Sequence, residues 1–211
     1  MTKYTYLLLL LLAAAYLPAQ TPTGNIHIKN GTVLTITNGV LENADVVIED
    51  GKITGVGKKL RTPKGAKVVD ATSKFVMPGI IDAHSHIALD AVNEATNPIT
   101  AEVWTGDVLD PLDIAIYRAL AGGVTSTHAM HGSANAIGGQ CETIKLRYGT
   151  HNPDDLKMKG APRTIKFALG ENPMRVHGEG NGILPRTRMG VEQVFRQGFS
   201  EARDYMAAQA A

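Results

Sequence analysis

The chain changes its pattern at Pro78-Gly79, and this change most limits what the chain can fold into. Before that point, Asn-Gly and Asp-Gly pairs divide short β-branched runs, and each such pair is a strong signal for a hairpin turn. The pairs are Asn30-Gly31, Asn38-Gly39 and Asp50-Gly51. After it, short apolar strands alternate with helical stretches, which favours a parallel sheet with crossover helices. The sequence therefore predicts β-hairpins followed by an α/β unit.

Individual elements follow from local periodicity. In the first part, strands are expected over residues 44–49 and 52–56, joined at Asp50-Gly51. In the second part, strands are expected over 80–86, 124–128 and 165–169, with helices over 109–121 and 188–206. The apolar residues of each helix recur at helical spacing and define one buried face. Those faces are Leu112, Ile116 and Leu120 in the first helix, and Val191, Val194, Phe195, Ala202 and Met206 in the second.

The first 19 residues are typical of a secretory signal. Lys3 gives a positive start, an unbroken apolar run covers residues 7–15, and cleavage is expected after Ala19. A retained membrane anchor is the alternative, but the run is shorter than the roughly 20 residues that span a bilayer. We therefore expect residues 1–19 to be removed and the mature chain to be periplasmic or secreted, with no membrane attachment after cleavage.

Charge and cysteine content exclude several classes of protein. Lys plus Arg number 21 and Asp plus Glu number 20, so the formal net charge is +1 and there is no pull toward nucleic acid. The single cysteine, Cys141, excludes an internal disulfide framework and a cysteine-based zinc finger. Cys141 is expected to be a small buried residue, because no base for a nucleophilic thiol is evident near it.

The sharpest chemical signal is the pair His84 and His86 at the end of an apolar strand. Alternate residues of a strand point the same way, so the two imidazoles stand side by side. Neutral imidazoles are good ligands for zinc and similar divalent ions. Seven histidines placed at random would give such a pair in some chains, but this pair directly follows Pro-Gly and a short strand, where a barrel would deliver catalytic groups.

The residues around this pair resemble a known family. Residues 68–71 (VVDA) and 75–86 (FVMPGIIDAHSH) closely resemble the opening signature of the metal-dependent amidohydrolase superfamily. Residues 47–57 resemble its N-terminal β-sandwich, and 119–127 resemble its first helix and second barrel strand. The imidazolonepropionase-like branch, which includes prolidase-like dipeptidases, is the nearest. The resemblance covers residues 25–208 and implies the first, incomplete part of a (β/α)8 TIM-type barrel over 78–211, preceded by a small β-sandwich segment over 20–77.

The resemblance also implies a metal centre. His84 and His86 match the first-strand ligands, which hold one or two divalent ions, usually zinc. Glu171 is similar to a glutamate that ends the third strand in the deacetylase branch, so it is a candidate third ligand; a solvent-facing turn carboxylate is the alternative. Other branches use a carboxylated lysine from a later strand. Lys166 is the nearest lysine, but it begins its predicted strand, which disfavours that assignment.

A Gly-rich loop is expected after the second strand, on the catalytic face that the resemblance implies. His128, His131 and Gln140 lie on it and are candidate substrate-binding residues. The alternative is an ordinary surface loop with a packed histidine. A small-molecule amide or dipeptide is the implied substrate.

The resemblance stops part-way through the barrel. A complete barrel needs about 250 residues, and residues 79–211 hold three or four plausible strands. We therefore expect the N-terminal part of an amidohydrolase that hydrolyses C–N bonds of amides, cyclic amides or dipeptides. A complementing C-terminal half chain would supply the later ligands and the catalytic base, and this chain alone is expected to be inactive. The alternatives are an inactive half-barrel remnant or non-catalytic subunit, and an amino-sugar N-deacetylase.

Overall fold

The computed structural model describes residues 24–211, which form two compact units. The N-terminal unit ends at Pro78 and the C-terminal unit spans Gly79–Ala211. The predicted signal segment, residues 1–19, lies outside the described residues, so export stays a prediction. Among the helices that the structure describes, none is long and apolar enough to cross a membrane.

The N-terminal unit is built on one five-stranded sheet. Its strands are β1 (Ile26–Leu34), β2 (Val40–Glu49), β3 (Lys52–Gly57), β4 (Lys67–Asp70) and β5 (Phe75–Val76). Antiparallel pairing joins β3 to β2 and β2 to β1, whereas β4 and β5 both run parallel to β1. A small apolar core of Val33, Ala44 and Val46 lies on one face of the sheet.

Two of the predicted turns behave differently in the structure. The Asp50-Gly51 hairpin is confirmed: both residues have positive φ, 50° and 74°, as a tight hairpin turn requires. The turn predicted at Asn30-Gly31 is wrong, because these residues lie inside β1 as a bulge in its pairing with β2. Asn30 takes φ 63°, and its N–H donates a hydrogen bond to the Asp45 carboxylate instead of closing a turn.

A buried carboxylate and a buried histidine lie close together in this unit. Asp45 is 3% exposed, and its carboxylate accepts hydrogen bonds from the N–H groups of Asn30 and Leu60, both at 3.0 Å. Burial raises the pKa of Asp45, but the two backbone hydrogen bonds and the charges of His27 and Lys29 outweigh it and lower the pKa below 3.8. His27 is fully buried, with its Nε2 3.6 Å from Asp45 and its Nδ1 2.8 Å from the Thr62 hydroxyl.

The C-terminal unit contains a four-stranded sheet in the order β6-β7-β8-β9. Its strands are β6 (Ile80–Ser85), β7 (Val124–Ala129), β8 (Ile137–Lys145) and β9 (Thr164–Phe167), and its long helices are α1 (Ile114–Ala121) and α2 (Arg188–Ala210). The β6–β7 pair is parallel, whereas β7–β8 and β8–β9 are antiparallel. The α/β class is confirmed in this mixed form, and the assignment of this sheet to the first part of an eight-stranded barrel stays a prediction.

The expectation of an entirely parallel sheet is wrong because β8 was not recognised in the sequence. Gly138 and Gly139 stand at its start and gave the segment the composition of a loop. Both glycines are needed for close packing. A Cβ at Gly138 would lie 2.8 Å from Nδ1 of His131, and one at Gly139 would lie 2.7 Å from Cγ2 of Val103. β8 nevertheless pairs with β7 on one side and with β9 on the other, with an irregularity between Ile137 and Gln140 in its pairing with β9.

The two long helices match the predicted segments with shifted limits. Asp113 caps α1 by accepting a hydrogen bond from the N–H of Ala115, so the helix begins at Ile114 and not at residue 109. Leu112, predicted on the buried face, precedes the helix and is exposed, whereas Ile116 is fully buried in the main core of the unit. In α2 the buried residues lie in the first two turns, and the second half of the helix, including Ala202 and Met206, is exposed.

Candidate functional site

His84 and His86 lie side by side at the C-terminal end of β6. Their ring centroids are 5.3 Å apart and the rings are almost perpendicular, at 83°. The Asp82 carboxylate accepts a hydrogen bond from the N–H of His84 at 3.1 Å. The pairing of β6 with β7 is irregular between Asp82 and Ser85. The adjacency predicted from the sequence spacing is present, and it stands at the end of a parallel strand.

A backbone carbonyl sets the tautomer of His86. The Nδ1 atom of His86 lies 2.8 Å from the carbonyl oxygen of Met130, just beyond the end of β7. A carbonyl can only accept, so Nδ1 carries the proton and donates it. The Nε2 atom therefore has the free lone pair that a metal ligand needs, and the ring is held by the same kind of hydrogen bond that orients histidine ligands in metal sites.

Lys166 is the residue that sequence reasoning set aside and that the structure brings to the histidines. It is the third residue of β9, which starts one residue earlier and ends two residues earlier than predicted. Its side chain is 8% exposed, and its Nζ lies 3.2 Å from Nε2 of His84. The ammonium group can only donate, so Nε2 of His84 accepts and its Nδ1 carries the proton. The sequence signal for this position is the spacing of Thr164 and Lys166, which are two residues apart on one strand and therefore lie on the same face.

This contact also reports the shape of the sheet. His84 is on β6 and Lys166 is on β9, three strand spacings apart, which in a flat sheet is roughly 14 Å. If the sheet were flat, side chains on strands that far apart could not bring their terminal atoms to within 3.2 Å of each other. The four strands must therefore curl, as the wall of a barrel does, with His84 and Lys166 on the concave side.

The charges around His84 keep it neutral. The Lys166 ammonium, burial and the neighbouring His86 hold the pKa of His84 below its ordinary value of 6.5, against the opposing influence of Asp82. Among the described residues, no group of three His, Cys, Asp or Glu side chains is placed to hold a metal ion. The two imidazoles of His84 and His86 are available as ligands, and the third group beside them is the side chain of Lys166.

His128 and His131 both lie near this cluster, but in different environments. Nε2 of His128 is 2.7 Å from the hydroxyl of Thr164, so the side chain spans from β7 to β9. His131 is 3% exposed; its Nε2 accepts the N–H of Glu94 at 2.9 Å, and its Nδ1 donates to the carbonyl of Gly132 at 3.1 Å. Burial lowers the pKa of His131, and the charges of Lys166 and His86 act in the same direction.

The other two predicted site residues have partners of their own. Gln140 lies on β8 and not on a loop; its amide donates to the carbonyl of Ala101 and accepts from Arg163. Glu171 pairs with Arg175 at 2.5 Å, in a contact where both side chains are more than half exposed. Glu171 does not join His84 and His86 in a three-ligand group among the described residues. The roles predicted for Gln140 and Glu171 stay predictions.

Comparison with known proteins finds amidohydrolases among the relatives of this chain. No family model matches the chain. A solved structure of an amidohydrolase from Thermotoga maritima superposes with a TM-score of 0.80 at 42% identity, covering 88% of this chain and 49% of that one. The amidohydrolase tasK of Hapsidospora irregularis is 37% identical over 185 residues, and a dihydropyrimidinase of Dictyostelium discoideum is 37% identical over 103. The chain is a relative of the amidohydrolases.

The extent of these matches is limited. The chain spans 19% of the fungal amidohydrolase, 18% of the dihydropyrimidinase and about half of the Thermotoga protein. This partial coverage agrees with the expectation that the chain corresponds to the N-terminal part of such proteins. The activity of a whole enzyme is therefore a matter for proposal.

Proposed function

We propose that this chain is part of a metal-dependent amidohydrolase that cleaves a C–N bond in a small amide, cyclic amide or dipeptide. The observation that carries the proposal is the convergence of His84, His86 and Lys166 on the concave face of the sheet. The relatives named above, an amidohydrolase and a dihydropyrimidinase, support a hydrolase of C–N bonds.

The donor set fits a divalent ion on one condition. Nε2 of His84 and Nε2 of His86 are the two imidazole ligands, and both rings have their proton on Nδ1. An ammonium at Lys166 would repel a metal cation beside His84, since like charges at that distance cost several kcal/mol, about 4 at an effective dielectric constant of 20. Carboxylation removes this conflict: the neutral amine adds carbon dioxide, an N–C bond forms, one proton is released, and the side chain becomes an anionic oxygen ligand.

The remaining residues position this set. The Met130 carbonyl fixes the ring of His86, and the Asp82 carboxylate holds the backbone at His84. The hydroxyl of Thr164 holds His128 on the same face, where His128 can donate or accept a proton at Nε2 once substrate displaces the hydroxyl. A divalent ion bound here would polarise a carbonyl group and lower the pKa of a water molecule toward about 7.

The test is a zinc titration of the protein with and without bicarbonate. We expect one zinc site whose affinity rises with bicarbonate and falls by more than about 100-fold in His84→Ala, His86→Ala and Lys166→Arg, since a lost ligand costs more than a change in its surroundings. His151→Ala and Lys159→Arg, which change exposed residues outside the cluster, are the matched controls. Zinc-dependent hydrolysis of small amides, measured with a complementing C-terminal half chain added, should follow the same order.

The outcomes separate the two functional interpretations. Zinc affinity that survives His84→Ala and His86→Ala contradicts the proposed centre. Zinc binding that depends on all three residues but gives no hydrolysis with a complementing half supports the alternative, an inactive half-barrel remnant or non-catalytic subunit. Hydrolysis that appears only when the second half of an amidohydrolase is added would identify the missing partner.

A further inference from the structure

A cavity of about 300 Å3 lies in the long segment between β6 and α1, next to the histidine cluster. Its walls are largely apolar, and Val92, Val103, Trp104 and Val108 are among the lining residues. A volume of this size is at the lower end for pockets that bind small molecules. It can enclose one extended side chain, but not a macromolecular surface.

Two acidic residues line the same cavity. Glu94 and Asp107 are among its lining residues, whereas no lysine or arginine is among them. Hydrogen bonds from the hydroxyl and the N–H of Thr96 hold the Glu94 carboxylate in place and lower its pKa, so it keeps its charge across the physiological range. The charges that face the cavity are therefore negative.

The two nearby cations are on the ring of Trp104 and do not line the cavity. Nζ of Lys157 lies 4.4 Å from the ring centroid, and the guanidinium carbon of Arg163 lies 4.0 Å from it. Lys157 is also paired with Asp154 at 2.8 Å. These contacts fix the indole as a rigid wall and leave the cavity itself without a positive side chain.

His131 connects the cavity to the proposed metal centre. It lines the cavity, it accepts the N–H of Glu94, and it directly follows Met130, whose carbonyl oxygen lies 2.8 Å from Nδ1 of His86. A substrate whose scissile bond lies at His84 and His86 can therefore place a side group in this cavity.

We propose that the cavity selects substrates that carry an apolar stem with a positive end, of the lysine or arginine side-chain class. The proposal rests on the proposed function, because the selected group belongs to the molecule that is hydrolysed. The stem packs against Val92, Val103 and Trp104, and the positive end meets Glu94 and Asp107. A negatively charged end would meet two carboxylates and be rejected.

Trp104 provides the direct test, because it is the one tryptophan in the chain and it lines the cavity. Its fluorescence is titrated with three uncharged-backbone probes: the N-acetyl methylamides of lysine, norleucine and glutamate. We expect the lysine probe to change the fluorescence and to bind about five- to tenfold more tightly than norleucine, the worth of one or two partly exposed charge pairs. The glutamate probe should be the weakest.

Variants assign the preference to the cavity. Asp107→Asn and Glu94→Gln should each reduce the lysine-over-norleucine ratio, whereas Glu102→Gln, an exposed acid of the same segment that does not line the cavity, should leave it unchanged. Equal binding of lysine and norleucine, tighter binding of glutamate, or no Trp104 response to any probe overturns the proposal. Because binding is read without turnover or added metal, probe binding without amide hydrolysis would count against the proposed function alone.

Discussion

Each unit of the chain contains a histidine beside a buried charged group, and the two clusters differ in how that charge is matched. In the N-terminal unit, the Asp45 carboxylate receives two backbone N–H groups and lies 3.6 Å from His27. In the C-terminal unit, Lys166 is equally buried, but its described partner is the imidazole of His84, and no carboxylate of the described residues lies within ion-pair distance of it.

This difference is the basis of our proposal that the second cluster has a functional role. A buried charge with a full set of hydrogen bonds stabilises the fold around it. A buried cation whose partner is a neutral imidazole lowers the stability of the fold. Proteins keep such destabilising groups where their function requires them. The arrangement around Lys166 is thus better explained by a ligand or a covalent change than by folding.

The largest expected effect is the loss of Asp45. Asp45→Ala leaves the N–H groups of Asn30 and Leu60 without an acceptor, and we expect it to destabilise the N-terminal unit by about 3 kcal/mol. Urea unfolding followed by amide exchange in β1 and β2 measures the change. Glu42→Gln, an exposed acid that bonds Thr32, should cost less than about 0.5 kcal/mol. Equal losses in the two variants would contradict the structural role of Asp45.

The opposite sign is expected at Lys166. Lys166→Met keeps the length of the side chain and removes a buried charge that lacks an acidic partner, so stability should rise by about 1 kcal/mol. Zinc binding should be lost in the same variant. Chemical unfolding at neutral pH without metal gives the first number. A marked loss of stability would mean that Lys166 is a structural residue like Asp45.

The two units should also respond to acid in different ranges. Burial lowers the pKa of His131 and of His177, and Lys166 lowers that of His84, so the unfolded chain binds more protons than the folded C-terminal unit below pH 6.5. Stability of that unit should therefore fall as the pH falls below 6.5. The Asp45 pKa is lowered from 3.8, so its contribution is present above about pH 4 and is lost only below that value.

Trp104 fluorescence reports the C-terminal unit in this experiment, and amide exchange at Asn30 and Leu60 reports the other. Unfolding curves at pH 7.5, 5.5 and 3.5 distinguish the pH range in which the C-terminal unit loses stability from the range in which the N-terminal unit does. His151→Asn, which changes an exposed histidine, should leave both unchanged. Simultaneous loss of both units between pH 6.5 and 5 would contradict the separation.

The smallest expected effect is at Glu171. Its contact with Arg175 is an exposed i,i+4 ion pair, and pairs of this kind contribute about 0.3–0.5 kcal/mol. Glu171→Gln should therefore change unfolding by less than about 0.5 kcal/mol and leave zinc affinity within a few-fold of the parent. A large loss of zinc affinity would restore Glu171 as the third ligand, as the family resemblance suggested, and remove the need for a carboxylated Lys166.

The sequence predicts what depends on neighbours along the chain. The Asp50-Gly51 turn, the end of α1 at Gly122-Gly123 and the adjacency of His84 and His86 all follow from local geometry. Tertiary packing decides the rest. Positions 138 and 139 require glycine because His131 and Val103 pack closely against them. This packing cannot be recognised from a composition that is typical of loops. The approach of Lys166 to His84 depends on the curl of four strands, which no single strand specifies.

The most direct measurement is anomalous X-ray diffraction at the zinc absorption edge, from crystals grown with zinc and bicarbonate. We expect one strong peak within bonding distance of Nε2 of both His84 and His86, with density for an added carboxylate on Lys166. A peak at Glu171 or at His131 with none between His84 and His86, or a bound ion beside an unmodified Lys166, would contradict it.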